Sequence, residues 1–150
     1  MVTERKRGMR MQDRYLSKAK RKDNGEWVQG VPFEIEGKTV ILINDTENLL
    51  RTHYLEENMW TSEIYAIEVD PSTICQCTGL KDKNGNLIWE NDIVSYCDCT
   101  KEDYVISWEQ NKACFEYQQY SCSMMNFDEL SSCEVEVVGN VFDNPELLEM

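Results

Sequence analysis

Short runs of apolar residues, many of them β-branched or aromatic, alternate with polar positions along this chain. Turn residues punctuate them at roughly the 8–12-residue interval of an all-β domain. Tyr15-Leu16-Ser17-Lys18-Ala19-Lys20 reads as a strand, Lys22-Asp23-Asn24-Gly25 as a tight turn, and Trp27-Val28-Gln29-Gly30-Val31 as the returning strand. Asn-Gly supplies the pair of positive-φ residues that such a hairpin turn requires. Thr39-Val40-Ile41-Leu42-Ile43 is a continuous β-branched run, the mark of a strand buried on both faces. From Glu47 to Trp60 the pattern breaks into polar residues with Leu49, Leu50, Tyr54 and Leu55 at mixed spacing, read as a helical turn or a long loop. Alternation resumes at Ile64, Ala66 and Val69 and stops at the turn Asp70-Pro71-Ser72.

A second Asn-Gly turn lies in Lys81-Asp82-Lys83-Asn84-Gly85-Asn86, and residues 87–94 re-enter a strand. Tyr104-Val105-Ile106-Ser107-Trp108 and Ala113-Cys114-Phe115-Glu116-Tyr117 flank the four residues Glu109-Gln110-Asn111-Lys112, a hairpin with a four-residue loop. Residues 127–130 amount to one helical turn at most, and residues 134–142 form a late strand. Asp143-Asn144-Pro145-Glu146 carries the signature of a short closing helix, an Asn or Asp cap followed by Pro at the first helical position. The expected fold is mainly β with a minor α contribution. A basic arm (1–14) precedes a β-rich N-terminal subdomain (15–77), and about five strands in residues 78–150 fit a small β-barrel better than a two-sheet sandwich.

Charge changes this picture more than composition does. At 150 residues, with 41% hydrophobic positions and 15 aromatic residues, the chain has enough apolar surface to fold on a core of its own. The formal net charge is −13, unevenly spread: residues 1–22 hold nine Lys/Arg against two acids, and residues 23–150 hold six against 26, a formal −20. A body so acidic repels duplex nucleic acid, while the basic arm can touch an anion locally. No window reaches the roughly 18 apolar residues of a membrane span, and no apolar segment follows the basic N-terminus as a secretory signal requires. The expected location is therefore the cytoplasm, with the seven cysteines as reduced thiols.

Catalytic groups are scarce. His53 is the single histidine, so no second imidazole can share a metal or relay a proton. Phosphate-binding loops, dinucleotide-binding glycine motifs and His-Glu-x-x-His are absent. Cys75-Gln76-Cys77 and Cys97-Asp98-Cys99 would each project two thiols to one side of a strand, and four thiolates suit tetrahedral zinc. Zinc sites favour Cys-x2-Cys knuckles, however, and buried Cys is an ordinary small core residue, so neither a metal nor a cofactor is expected. Among the four tryptophans, Trp27, Trp89 and Trp108 stand in strand-like apolar surroundings and read as core. Trp60, between polar neighbours, is the candidate exposed aromatic. Lys81 and Lys83 are candidate phosphate contacts, and Glu102-Asp103 is a candidate acidic contact.

Three segments carry a family resemblance. Residues 20–30 (Lys-Arg-Lys-Asp-Asn-Gly-Glu-Trp-Val-Gln-Gly) resemble the entry motif of the YopX family of phage and prophage proteins. The blocks Val69-Asp70-Pro71-Ser72-Thr73-Ile74, Thr78 to Gly85 and Trp89-Glu90-Asn91-Asp92-Ile93-Val94 resemble its middle, and residues 138–148 its closing segment. Cys75, Cys77 and Asn91 depart from the family pattern, which has glycine and an aromatic at the two cysteine positions and glycine before Asp92. The resemblance implies a C-terminal barrel of the Src-homology type and a phage or prophage origin, and it implies no enzymatic activity. The leading expectation is a non-enzymatic accessory protein that binds a host protein, as a counter-defence factor or regulatory inhibitor with a nucleic-acid-mimicking acidic surface. The alternative is a homo-oligomer whose interfaces sequester a small nucleotide-type ligand, with Lys81, Lys83 and the basic arm as phosphate contacts.

Overall fold

The computed structural model of the protein describes residues 15–43, 52–55, 59–62, 65–96, 103–119, 124–126 and 134–149. The basic arm, Glu102, Cys97 and Cys99 lie outside these residues. Two units divide the chain, one running Leu16–Cys75 and the other from Gln76 onward together with Tyr15. Both are built from antiparallel strands.

In the first unit, β1 (Ser17–Lys20), β2 (Trp27–Ile35), β3 (Lys38–Ile43) and, later in the chain, β6 (Tyr65–Glu68) pair in the order β6-β3-β2-β1. A turn forms at Asn24-Gly25, but Gly25 alone takes a positive φ there, not the pair of residues expected. Gly25 sits at φ 73°, its amide donates to the Arg21 carbonyl, and Lys20 comes opposite Trp27. β2 runs four residues past the expected end at Val31, straight through Pro32. Proline is tolerated there because the register with β1 ends at Gly30, so Pro32 interrupts no ladder on that side. The β2–β3 connection is the two-residue loop Glu36-Gly37, both at positive φ (50° and 75°), the conformation of a type I′ turn. Ala19, Ile41 and Val69 form the fully buried centre, with Val28, Ile43 and Ile74 packed against it.

Between β3 and β6 lie β4 (Thr52–Leu55) and β5 (Met59–Ser62), a separate two-stranded hairpin in which Tyr54 is opposite Trp60. Strands thus stand at residues 52–55 and 59–60, where a helical turn or long loop is expected; the rest of residues 47–60 lies outside the described residues. The β-favouring Thr52, Tyr54, Trp60 and Thr61 lie in runs of only four residues, too short for a periodic signal.

The second unit holds a five-stranded sheet: β9 (Asp92–Tyr96), β10 (Asp103–Glu109), β11 (Cys114–Gln119), β12 (Met124–Asn126) and β13 (Val135–Asn140), ordered β12-β11-β10-β9-β13. Ahead of it in the chain, β7 (Cys75–Lys81) pairs with β8 (Leu87–Trp89). Ile88, Val94, Tyr104, Ile106, Tyr117 and Val135 make one buried cluster, with the Tyr104 and Tyr117 rings edge to face at 6.0 Å. Burial alone pushes the Tyr117 hydroxyl up to about 12.

The turn between β7 and β8 is organised by Asp82. Its buried carboxylate accepts from the amides of Asn84 (2.9 Å) and Asn86 (2.8 Å) within the turn, and from the Val137 amide of β13 (3.1 Å). The Lys83 amide donates to the Val135 carbonyl (2.9 Å), so the turn is bonded directly to the edge strand. At the β8–β9 turn, Asn91 takes φ 65°, where the family pattern has glycine. Asn is the side chain that tolerates this region best after glycine. The expected closing helix is a single 3-10 turn, Pro145–Leu148. Asn144, expected to cap it, instead accepts from the Asn140 amide through its side-chain oxygen (3.3 Å).

Candidate binding groove

The inward face of the β10–β11 hairpin runs Tyr104, Ile106, Trp108 on one strand and Tyr117, Phe115 on the other. Tyr104, Ile106 and Tyr117 are consumed by the core. At the next rung, Phe115 still packs against the edge of the core, while Trp108 opposite it emerges at the surface, 38% exposed. The two rings meet edge to face at 5.0 Å and 71°, and the Trp108 indole N–H donates to the Gln110 side chain at 3.2 Å. This corrects the expectation of a core Trp108. Trp89 is buried as expected, and Trp27 is half-buried with the Lys18 and Lys20 ammonium groups 5.0 and 5.5 Å from its ring centroid.

β7 supplies the other wall. Cys77 pairs with Trp89 and Lys81 with Leu87, so residues 78–80 occupy the span of the single residue Ile88. Gly79 at φ 80° makes this bulge possible. The Thr78 hydroxyl secures it, donating to the Ile88 carbonyl at 2.7 Å and accepting from the Leu80 amide at 3.2 Å. The bulge turns Leu80 outward, leaving a large aliphatic side chain exposed. Leu80, Trp108, Phe115, Tyr15, Gln76 and the half-buried free thiol of Cys114 then line a groove of about 400 Å³. Among the described residues, no charged side chain lines it.

The stretch of chain that supplies most of the groove is acidic. Residues 76–150 hold four lysines against fifteen acids, a formal −11. Lys83 is held by Glu136 (2.6 Å), which keeps the Glu136 carboxyl below its ordinary value. Lys112 is held by the buried Glu116 (2.6 Å), which raises the lysine.

The residues singled out from sequence are not brought together into one site. Lys81 is exposed at the end of β7, while Lys83 is committed to β13 through both its amide and its ammonium group. Asp103 opens β10 opposite Ser95, and Glu136 of β13 is opposite the same Ser95, so the two acids share one rung of the sheet with β9 between them. Trp60 belongs to β5 in the first unit, its side chain outside the described residues, as is Glu102. Cys75 and Cys77 alternate inward along β7 as buried thiols outside any disulfide, and no group of three potential metal ligands occurs among the described residues. No helix among them is long and apolar enough to cross a membrane.

In the first unit a second concavity, about 380 Å³, is lined by Arg21, Lys22, Asp23, Ala66, Ile67 and Glu68. Its cations are already neutralised. The Arg21 guanidinium binds Asp23, Lys22 binds Glu68 at 2.9 Å, and each carboxyl is lowered first by the hydrogen bond from its cation.

Comparison with protein families matches residues 18–149 to the family described as YopX protein. Comparison with curated proteins found no match. Among solved structures, the crystal structure of protein EF1440 from Enterococcus faecalis is similar at a TM-score of 0.55. The two share 22% identity over 88% of this chain and 96% of the other, a likeness of fold.

Proposed function

Because this chain belongs to the YopX family over residues 18–149, we propose that it is a non-enzymatic accessory protein of phage or prophage origin that binds a basic host protein. The observation that carries this reading is the charge of residues 76–150. Fifteen acids face four lysines there, and two of those lysines are engaged by Glu136 and Glu116. A low-dielectric body with little opposing charge projects a negative potential that attracts cationic surfaces and steers their approach. Carboxylates spaced along strands offer a basic groove the same kind of charge as phosphates do. A counter-defence or inhibitory role follows if the partner is a nucleic-acid-binding protein whose groove is filled.

The test is crosslinked capture from host lysate, followed by association measured with the purified partner at increasing salt. The expected partner is basic, and its association slows as the Debye length shrinks below about 8 Å. Recovery of neutral or acidic partners only, with rates indifferent to salt, refutes the reading.

The nucleotide-sequestering alternative draws on a different feature, the Trp27 ring with Lys18 and Lys20 beside it, an aromatic face next to two cations. Thermal-shift measurements against nucleotides decide it, since a ligand at 100 times its dissociation constant stabilises by about 2.7 kcal/mol.

A further inference from the structure

Resting on the acidic-binder reading, we infer that the groove between β7 and the β10–β11 hairpin seats an arginine side chain presented by an extended segment of the basic partner. Acidity alone attracts a cation without saying where it comes to rest, and the groove adds the missing specificity. Its apolar surface is a product of two structural excesses: a hairpin that carries Trp108 past the core, and a bulge that turns Leu80 outward. Both place large apolar side chains in solvent, with nothing in the fold that needs them there.

Charge and ring geometry select the occupant. Among the described residues, the lining holds no carboxylate that would fix a small cation by contact and no cation that would repel one, while residues 76–150, the stretch to which all of the lining except Tyr15 belongs, carry a formal −11. Trp108 meets Phe115 edge to face, so the indole is not covered by a stacked ring. Indole faces are the strongest cation–π acceptors among side chains, and the planar, weakly hydrated guanidinium suits such a face better than a compact ammonium does. The aliphatic stem of the same arginine has Leu80 and Phe115 to lie against, and Gln76 and Tyr15 add polar groups at the lining.

The experiment uses the full chain, isotopically labelled, titrated at low salt with an arginine hexapeptide, a lysine hexapeptide and a glutamate hexapeptide. The arginine peptide is expected to shift the Trp108 indole N–H and Leu80 methyl resonances saturably. The lysine peptide should act several-fold more weakly and the glutamate peptide not at all. Trp108→Ala should weaken arginine binding about fivefold, the fold-change of a cation–π contact near 1 kcal/mol. Leu80→Ser, on the other wall, guards against a folding effect of the tryptophan variant and should also weaken it. Arginine binding that moves only resonances elsewhere, or that survives both substitutions unchanged, overturns the groove while leaving the acidic binder standing. Trp108 resonances that move on dilution without peptide assign the groove to a second copy of the chain. Resonances that move on deleting residues 1–12 assign it to the chain's own basic arm, and either result overturns the inference. No binding by any cationic peptide removes the groove and the acidic-binder reading together.

Discussion

A Cβ added at Gly30 would stand 2.1 Å from the Leu42 carbonyl oxygen and 2.8 Å from an Ile41 methyl. β2 and β3 cannot both keep their places around it. Gly30→Ala is therefore expected to destabilise by about 2–3 kcal/mol, within the range of overpacking a core. Gly25→Ala meets open space and incurs only the roughly 1 kcal/mol of a left-handed backbone. Urea unfolding of the two variants checks the ranking. Asp82 carries a different kind of necessity. Burial by itself would raise its carboxyl, but the amides of Val137, Asn86 and Asn84 outweigh burial and hold it below the ordinary 3.8. A carboxyl depressed on folding stabilises the folded state above its unfolded pKa, and that contribution disappears as pH falls through the folded value. Stability is expected to drop below about pH 4, and Asp82→Asn, losing about 1–3 kcal/mol at neutral pH, should show a shallower acid limb. Tyr117 has the opposite sign. Its hydroxyl, raised to about 12, leaves the fold intact at pH 9, and stability falls as pH climbs from about 10 toward 12. An ultraviolet titration should find one tyrosine silent through the ordinary phenol range.

At the scale of elements, the termination of β13 illustrates how a bulge and a turn cooperate. The register against β9 slips between Val137 and Gly139, and the Asn140 side-chain oxygen then accepts from the amides of Phe142 and Asp143, each at 3.0 Å. Gly139 is required because a Cβ there would meet the Asn144 side-chain oxygen at 2.5 Å. Asn140→Ala is expected to cost about 1–2 kcal/mol and to speed hydrogen exchange at Phe142 and Asp143 specifically, since two amides lose their acceptor at once. The hairpins were readable to different degrees. Asn24-Gly25 and Asn84-Gly85 announce themselves, because their residues have one comfortable use. Glu36-Gly37 does not, because glutamate at φ 50° follows no local preference and is imposed by the pairing of β2 with β3. The β4–β5 hairpin escaped for a related reason, its strands being four residues each.

At the scale of the molecule, charge is the property that bears most on function, and its asymmetry invites a truncation. Removing residues 1–12 deletes Arg5, Lys6, Arg7, Arg10 and Glu4, making the chain about three units more negative. Binding to a basic partner is expected to be unchanged or faster, whereas a phosphate-bearing ligand should bind more weakly; stopped-flow association at two salt concentrations separates these. The sequence by itself determined the β class, the two Asn-Gly turns, the absence of a catalytic histidine pair and the acidic balance. Each of these follows from composition or from residues whose backbone preferences are strong and local. Only the tertiary structure decided that Trp108 reaches the surface. Trp108 reads as a core residue by its neighbours, and its exposure depends on how far β10 and β11 extend beyond Ile88, Tyr104 and Tyr117. It decided likewise that Lys83 is spent on Glu136 and β13, contacts 52 and 53 positions away in the chain. Pairings at such separations depend on which strands lie side by side, and no local pattern of residues encodes that.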